Sequence, residues 1–150
     1  MPLTDWTPRS KPNPLTLDGR LARLERLDWY KHTEELFDCL GGAANADLWR
    51  FMPIGPYLDV KTFAEDFERS RVNGEWTTSV IHVKETGKLE GMVSYMRVRP
   101  EHGSAEIGCV AFGHRLQRTA AATEAVYLMA RHAFDDLGYR RFEWKCDNAN

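Results

Sequence analysis

Apolar residues in the first half of the chain recur at helical spacing between residues that cap helices. Asp28 is a predicted N-cap, and the helix that follows it ends at Gly41. Asp59 caps a second helix, which is closed by Gly74. A short helical segment over residues 45–52 lies between the two. The pattern therefore predicts two substantial helices before the long strands begin.

After Gly74 the pattern becomes that of β-strands. Residues 76–84 are rich in Thr, Val and Ile, and residues 89–98 alternate well enough to form the second arm of a hairpin. A loop at residues 100–103 leads into a third strand over residues 105–112. Three consecutive strands with short connections predict an antiparallel meander.

The strongest helical pattern covers about residues 120–137, where small and aliphatic residues follow helical spacing. Gly138 stands where a C-terminal glycine cap belongs. A last strand over residues 140–146 follows. The connection from the third strand through this helix predicts a βαβ-like crossover.

The N-terminal region differs from the rest in its proline content. Residues 1–14 contain four prolines and little periodicity, which indicates an extended lead-in that packs weakly. Residues 15–150 then form one domain. Within it, residues 20–27 fit either a helical turn or a charged first strand, and the periodicity does not decide between them.

Composition fits one globular domain with a sizeable core. The chain has 150 residues, of which 43% are hydrophobic and 28% are charged. Its formal net charge of -2 provides no global basic field to hold nucleic acid or an anionic membrane. No run approaches the roughly 18 consecutive apolar residues of a membrane span, and no apolar signal core begins the chain. We therefore expect a cytoplasmic protein without a nucleic-acid or membrane partner.

Cysteine and histidine spacing predicts neither a disulfide framework nor a metal site. The three cysteines lack CxxC spacing, and the five histidines show no HxxxH or similar ligand pattern. Cys109 has no activating partner in the sequence, so we interpret it as a buried thiol rather than a nucleophile.

Residues 105–124, AEIGCVAFGHRLQRTAAATE, combine a strand, a basic turn and a helix start crowded with small residues. A helix N-terminus presents unpaired N–H groups and a partial positive charge, and small side chains let a diphosphate approach the backbone. Arg115 and Arg118 add positive charge nearby. Three alanines at a helix start are also good helix formers, so the residues alone leave both interpretations open.

The segment Gln117–Ala122 resembles the acetyl-coenzyme A signature of the GNAT superfamily of N-acetyltransferases, Q/R-x-x-G-x-G/A. Gln117 matches the first position and Ala122 the last, whereas Ala120 stands where the family usually has glycine. The continuation ATEA over residues 122–125 looks like the ribosomal-protein N-terminal acetyltransferase branch. The resemblance covers about residues 17–150.

The resemblance implies an α+β fold, the GNAT-like acyl-CoA N-acyltransferase fold, in which helices flank a mostly antiparallel central sheet. Similar proteins continue past the position of Asn150 with a helix and two strands, which supply a tyrosine as general acid. We therefore expect a chain that is incomplete at its C-terminus. An uncovered strand edge would then favour a homodimer.

The resemblance also implies a binding site for acetyl-CoA, the acetyl donor. The third and last strands would splay apart, and the pantetheine arm would enter between them. An N–H group near Val110 would polarise the thioester carbonyl, and helix-start N–H groups would cradle the pyrophosphate. The residues implied in cofactor binding are Val110, Ala111, Phe112, Gln117, Arg118, Thr119, Ala120, Ala121, Ala122 and Asn150.

Glu106 is the candidate catalytic residue. An amine must lose a proton before it attacks, and a free α-amine titrates near ~8, so a base or a water path helps. On a regular strand, Glu106 lies four residues before Val110 on the same face, about 13 Å along it, which favours action through water. The alternative is a solvated glutamate or half of an ion pair.

We therefore predict an enzyme that transfers an acetyl group from acetyl-CoA directly to a primary amine. The runner-up is a catalytically weak or inactive coenzyme A-binding module, and the third hypothesis is an interaction domain without a ligand. A protein N-terminus, a free amino acid, a polyamine and an antibiotic amine all remain open as acceptors.

Overall fold

The computed structural model describes residues 3–150, which form a six-stranded sheet with helices on both faces. The strands are β1 (Thr16–Asp18), β2 (Ala22–Arg26), β3 (Thr77–Val83), β4 (Lys88–Arg99), β5 (Ser104–Phe112) and β6 (Arg141–Trp144). They lie in chain order, and every neighbouring pair is antiparallel except β5 and β6, which are parallel. The predicted mostly antiparallel sheet and the crossover before the last strand are confirmed.

Three α-helices flank this sheet, and their starts follow from local chemistry. They are α1 (Trp29–Leu40), α2 (Val60–Asn73) and α3 (Ala120–Arg131). The Asp28 carboxylate accepts the Tyr30 N–H at 2.9 Å, and the Asp59 carboxylate accepts the Thr62 N–H at 2.8 Å. Each bond satisfies a donor that the first helical turn cannot. Both predicted N-caps are therefore confirmed.

Two predicted helical segments differ in detail. Residues 45–52 were expected to be helical, whereas the structure has a 3-10 helix over Ala43–Trp49. The long helix predicted to residue 137 ends at Arg131 and continues as one π-helical turn over His132–Asp136. The wider turn keeps apolar residues on the core side, so periodicity alone predicts one continuous helix for the two segments.

The hydrophobic core has two parts, one on each face of the sheet. On the first face, α3 packs against β1, β2, β4 and β5, and the largest fully buried side chains there include Leu24, Ile81, Tyr95, Ile107, Leu116, Leu128 and Met129. On the second face, α1 and α2 pack against β3 and β4, with Leu36, Leu40, Trp49, Tyr57, Phe63, Phe67 and Met92 buried. The position of a β5 side chain on one face or the other therefore decides which helices it meets.

The segment that was ambiguous in the sequence forms strand β2. Ala22 and Leu24 are fully buried on the α3 face, whereas Arg23 and Glu25 between and after them remain partly accessible. This alternation is the period of a strand. A short strand β1, which the sequence did not predict, pairs with its outer edge.

The N-terminal lead-in packs more closely than its prolines suggest. The Trp6 indole N–H donates to the carbonyl of Glu101 at 2.8 Å, and the Tyr139 hydroxyl donates to the carbonyl of Ser10 at 2.9 Å. These bonds fix residues 6–10 against the β4–β5 turn and the loop before β6, whereas residues 1 and 2 of the lead-in lie outside the described residues. The prediction of weak packing was therefore wrong.

The outer edge of β6 has no strand partner within residues 3–150. Trp144 at its end is half exposed. A homodimer through this edge stays a prediction. In the described part of the chain, no helix is both long enough and apolar enough to cross a membrane.

Candidate active site

A gap opens beside β5 beyond the point where its parallel partner β6 ends. Pairing of β5 with β6 runs from Ser104 opposite Arg141 to Ile107 opposite Trp144, where β6 ends. Strand β5 continues to Phe112. Residues 108–112 therefore have an open edge within the described chain, as the predicted splay requires.

A β-bulge lies in β5 at the start of this gap. Two residues of β5, Cys109 and Val110, lie opposite the single residue Val93 of β4. Cys109 has a φ of 44°, a left-handed conformation that is rare for residues other than glycine. A bulge of this kind leaves one residue out of the ladder and reverses the faces that follow it. The sequence pattern did not predict this bulge.

The hydrogen-bond pattern shows which backbone groups face the gap. The Gly113 N–H donates to the carbonyl of Glu90 in β4 at 2.8 Å, and Ala111 lies in register with β4. Successive residues of an antiparallel strand direct their N–H and C=O groups to opposite edges. Val110 and Phe112 therefore present these groups to the gap, whereas those of Ala111 face β4. Of the three predicted pantetheine-binding residues, two are oriented for that role.

The turn after β5 leads into a capped helix start. The Thr119 hydroxyl accepts the Ala122 N–H at 3.2 Å, and Arg118 just before it has a φ of 61°. Within residues 3–150, the N–H groups of Arg118, Thr119, Ala120 and Ala121 have no hydrogen-bond acceptor. Unpaired N–H groups in this arrangement form a site for an anion such as a phosphate. The Ala122 N–H, also predicted for this role, is engaged by the cap.

A cleft of about 680 Å³ lies between the end of β5 and the first turns of α3. Its size falls in the range of ordinary ligand pockets. Eight residues line it: Phe112, Gln117, Arg118, Thr119, Ala120, Ala122, Thr123 and Val126. Six of them were predicted from the sequence, while Thr123 and Val126 follow on the same helical face. Ala121 is instead buried against the core beneath α3.

Ala120→Gly is expected to leave acetyl-CoA affinity within about twofold. Ala120 is the first residue of α3, and its φ is not in the left-handed region that glycine would relieve. The substitution therefore only lowers helix stability, by at most about 1 kcal/mol. Calorimetric titration of both proteins with acetyl-CoA, alongside thermal unfolding, measures the two effects. A large loss of affinity would show that the Ala120 methyl group contacts the ligand.

Two other predicted residues lie apart from this cleft. Arg115, from the same turn, lies 4.0 Å from the Glu90 carboxylate in a separate cavity next to α1. Asn150 is exposed, and its N–H donates to the carbonyl of Asp147 at 2.9 Å. A role for Asn150 in binding coenzyme A stays a prediction.

Glu106 is a buried carboxylate held by two cations. Its side chain is 4% exposed, and its Oε1 accepts a hydrogen bond from Arg97 Nη1 at 2.7 Å. Its Oε2 lies 3.3 Å from Lys145 Nζ, but the angle is not that of a hydrogen bond, so this buried oxygen has no donor in the described chain. Neither partner was predicted, because Arg97 comes from β4 and Lys145 from the residue just after β6.

Glu106 and Val110 lie on opposite faces of the sheet. Ile107 and Val110 both pack toward α3, which places Glu106 on the other face. The interpretation of a regular strand with both residues on one face was therefore wrong, and the bulge is the reason. The Glu106 side chain therefore cannot contact a group that lies against the Val110 side chain. Action through water remains compatible with this placement.

The Cys109 thiol is unsuited to nucleophilic attack. Burial raises its pKa to about 12, so the thiol stays protonated near neutral pH. Cys109 also packs against the core beneath α1 and α2. This agrees with the interpretation of a buried apolar thiol.

One cluster on the α1 face has the composition of a metal site. Single ligand atoms of Glu25, His32 and His82 lie within 4.8 Å of one another. The Asp28 N–H donates to His32 Nδ1 at 3.0 Å, so a neutral His32 carries its proton on Nε2, which faces Glu25 at 3.3 Å. The His82 Nε2 lies 3.0 Å from the same carboxylate. Hydrogen bonding accounts for this geometry, and the absence of a metal stays a prediction.

A family model described as an acetyltransferase (GNAT) domain matches residues 22–150. The chain belongs to the GNAT acetyltransferase family. It is therefore a transferase, and its sheet and helices are those of acyl-CoA N-acyltransferases.

Solved structures agree with this assignment. A GCN5-related N-acetyltransferase from Brucella melitensis is 34% identical with a TM-score of 0.92, over 99% of this chain and 67% of that one. A GNAT-family protein from Chromobacterium violaceum is 33% identical with a TM-score of 0.89, over 100% of this chain and 74% of that one.

A more distant structure shares the fold alone. This is a spermidine N-acetyltransferase from Vibrio cholerae in complex with CoA and spermine, which is 15% identical with a TM-score of 0.57, over 76% of this chain and 64% of that one. No curated protein sequence gives a match.

Proposed function

We propose that this protein transfers the acetyl group of acetyl-CoA to a primary amine of a protein N-terminus or a small molecule, by direct attack in a ternary complex. The observation that carries the proposal is the open edge of β5 beyond Ile107, which leads directly into the cleft at the start of α3. Acetyl-CoA combines an extended amide-containing arm with a diphosphate. The open edge of β5 matches the arm, and the cleft at the start of α3 matches the diphosphate.

The open edge would bind the extended arm of the donor. The N–H and C=O groups of Phe112 and the C=O group of Val110 face the gap and can pair with amides as a neighbouring strand would. The Phe112 carbonyl also accepts a weak hydrogen bond from Gln117 Nε2 at 3.3 Å. That bond would have to open if the arm pairs with this carbonyl. The diphosphate would then meet the free N–H groups of residues 118–121.

The chemical step needs stabilisation of negative charge and removal of a proton. The Val110 N–H, fixed by the bulge, would donate to the thioester oxygen as the amine attacks the carbonyl carbon. The carbon–sulfur bond then breaks, and coenzyme A leaves as its thiol. Glu106 would accept the amine proton through water at Oε2, which has no hydrogen-bond donor among residues 3–150.

The second candidate is a coenzyme A-binding module with little transfer. Three buried tyrosines could in principle protonate the departing thiolate, but each donates its hydroxyl elsewhere: Tyr57 to Asp66, Tyr95 to the carbonyl of Met129, and Tyr139 to the carbonyl of Ser10. Their placement in the described chain favours water as the proton source, which would be slower.

Two measurements separate these candidates. Calorimetric titration with acetyl-CoA tests binding, and release of the coenzyme A thiol in the presence of amine acceptors tests transfer. Binding with transfer supports the enzyme, and binding without transfer supports the module. If the protein neither binds acetyl-CoA nor transfers the acetyl group, both candidate functions are overturned.

Arg118→Gln is expected to weaken acetyl-CoA binding about 5-fold at low salt, and less at high salt, because an exposed phosphate contact is screened. Arg118 lines the cleft. Arg115→Gln is the matched control, since Arg115 belongs to the same turn but lines a different cavity beside Glu90. Equal losses in the two variants would indicate a general charge effect and remove Arg118 from the site.

A further inference from the structure

A groove of about 330 Å³ lies beside Glu106, at the end of β5 opposite to the cleft. We call it the Glu106 groove. It is lined by Arg97, Arg99, His102, Ser104, Glu106, Arg141, Glu143 and Lys145. From Glu106 to Phe112 the strand rises about 20 Å. If acetyl-CoA enters from the Phe112 end, the amine must approach from the Glu106 end.

The charges of the groove oppose those of the whole chain. Four cations face two carboxylates, a net charge of +2 with His102 neutral, whereas the chain as a whole carries -2. A concave surface lined by one sign of charge concentrates ligands of the other sign. The groove is therefore suited to an anionic group.

One cation of the groove is free to bind a ligand. The Arg99 guanidinium makes no hydrogen bond or ion pair within residues 3–150. Arg141 is paired with Glu143 at 2.6 Å, and Arg97 and Lys145 both meet Glu106. Arg97 has a φ of 45° at an irregularity of β4, so the backbone accepts strain where it aims this side chain at Glu106.

The groove also has a place for an ammonium group. Glu106 Oε2 is buried and has no hydrogen-bond donor, yet Lys145 Nζ, itself a primary ammonium, lies 3.3 Å from it. Lys145 is 66% exposed on a flexible stem, so it can move aside for water that links Oε2 to an incoming amine. A buried carboxylate beside a free guanidinium matches a ligand with both charges.

We propose that the Glu106 groove selects an acceptor that carries a carboxylate close to its reactive amine, with Arg99 binding the carboxylate and Glu106 reaching the amine through water. This inference rests on the proposed acetyl transfer and names its substrate class. A polyamine is disfavoured, because its additional ammonium groups would meet Arg97, Arg99 and Arg141.

Two amidated peptides, Ser-Glu-Ala-Ala and Ser-Gln-Ala-Ala, differ by one carboxylate, and spermidine adds the polycation. We expect kcat/KM to be about 5- to 10-fold higher for the glutamate peptide at low salt, with a smaller difference at high salt. Spermidine should be the poorest of the three. Calorimetric titration of the coenzyme A-bound protein with each peptide gives the same comparison without turnover.

Arg99→Gln should remove the preference and leave acetyl-CoA affinity unchanged. The control is Arg20→Gln, because Arg20 is also exposed but lies in the β1–β2 turn at the other edge of the sheet. Equal use of both peptides, a preference for spermidine, or a preference that survives Arg99→Gln would overturn the inference. If transfer fails but an Arg99-dependent binding preference remains, the proposed function fails and the groove assignment stands. If neither peptide binds, the groove assignment fails.

Discussion

Glu106→Gln is expected to lower kcat by about 10²-fold while leaving acetyl-CoA affinity unchanged. The variant keeps the volume of the side chain and an oxygen for Arg97, but it cannot accept a proton. The loss should be largest below the pKa of the acceptor amine, near ~8 for an α-amine, because the enzyme must then remove the proton itself. Thiol release measured across pH tests this expectation.

The matched control is Glu143→Gln. Glu143 lies directly opposite Glu106 in β6 and lines the same groove, but it is 38% exposed and pairs with Arg141. Its substitution should change kcat by less than Glu106→Gln, and thermal unfolding should show both variants folded. An unchanged pH profile in Glu106→Gln would contradict its role as base and leave it as the centre of an ion pair.

The elements that could be predicted from the sequence are those defined by local chemistry. Asp28 and Asp59 cap helices through bonds to residues two or three positions away, so the signal lies within one turn. The cleft at the start of α3 is equally local, because Gln117 to Val126 are neighbours on one turn and one helical face. The antiparallel meander could also be predicted from local sequence, because short loops force adjacent strands to pair.

The features that could not be predicted depend on residues distant in sequence. Arg97 and Lys145 meet on Glu106 because three strands lie side by side, and their separations of 9 and 39 positions carry no periodic signal. The cluster of Glu25, His32 and His82 also joins three separate elements. The prediction of no metal site rested on ligand spacing within one segment, and such spacing cannot detect this cluster.

The bulge is the most consequential of these features. A left-handed residue is usually recognised by glycine, but here it is Cys109, so the sequence shows an uninterrupted strand. The one-residue irregularity moves Val110 to the face opposite Glu106 and directs its N–H into the gap. The proposed catalytic geometry therefore depends on a backbone detail that alternation of side chains cannot reveal.

Val110→Pro is expected to lower kcat by roughly 10²- to 10³-fold, the loss typical of removing one oxyanion-stabilising donor. Proline lacks the N–H that Val110 presents to the gap. Since Ala111 rather than Val110 faces β4, the substitution removes no hydrogen bond of the ladder, and proline is tolerated at such an open edge. Thiol release under saturating acetyl-CoA measures the effect.

Val110→Ala is the matched variant, because it keeps the N–H and removes only side-chain atoms that pack beneath α3. It should retain kcat within a few-fold and lose about 1 to 2 kcal/mol of stability. Proline also restricts the residue before it, here the left-handed Cys109, so thermal unfolding and acetyl-CoA titration must show that the bulge survives in Val110→Pro. With folding and cofactor binding intact, full activity in Val110→Pro would show that the thioester oxygen is stabilised by another donor. An equal loss of kcat in Val110→Ala would instead assign the effect to packing under α3, because both variants lose the valine side chain and only one loses the N–H.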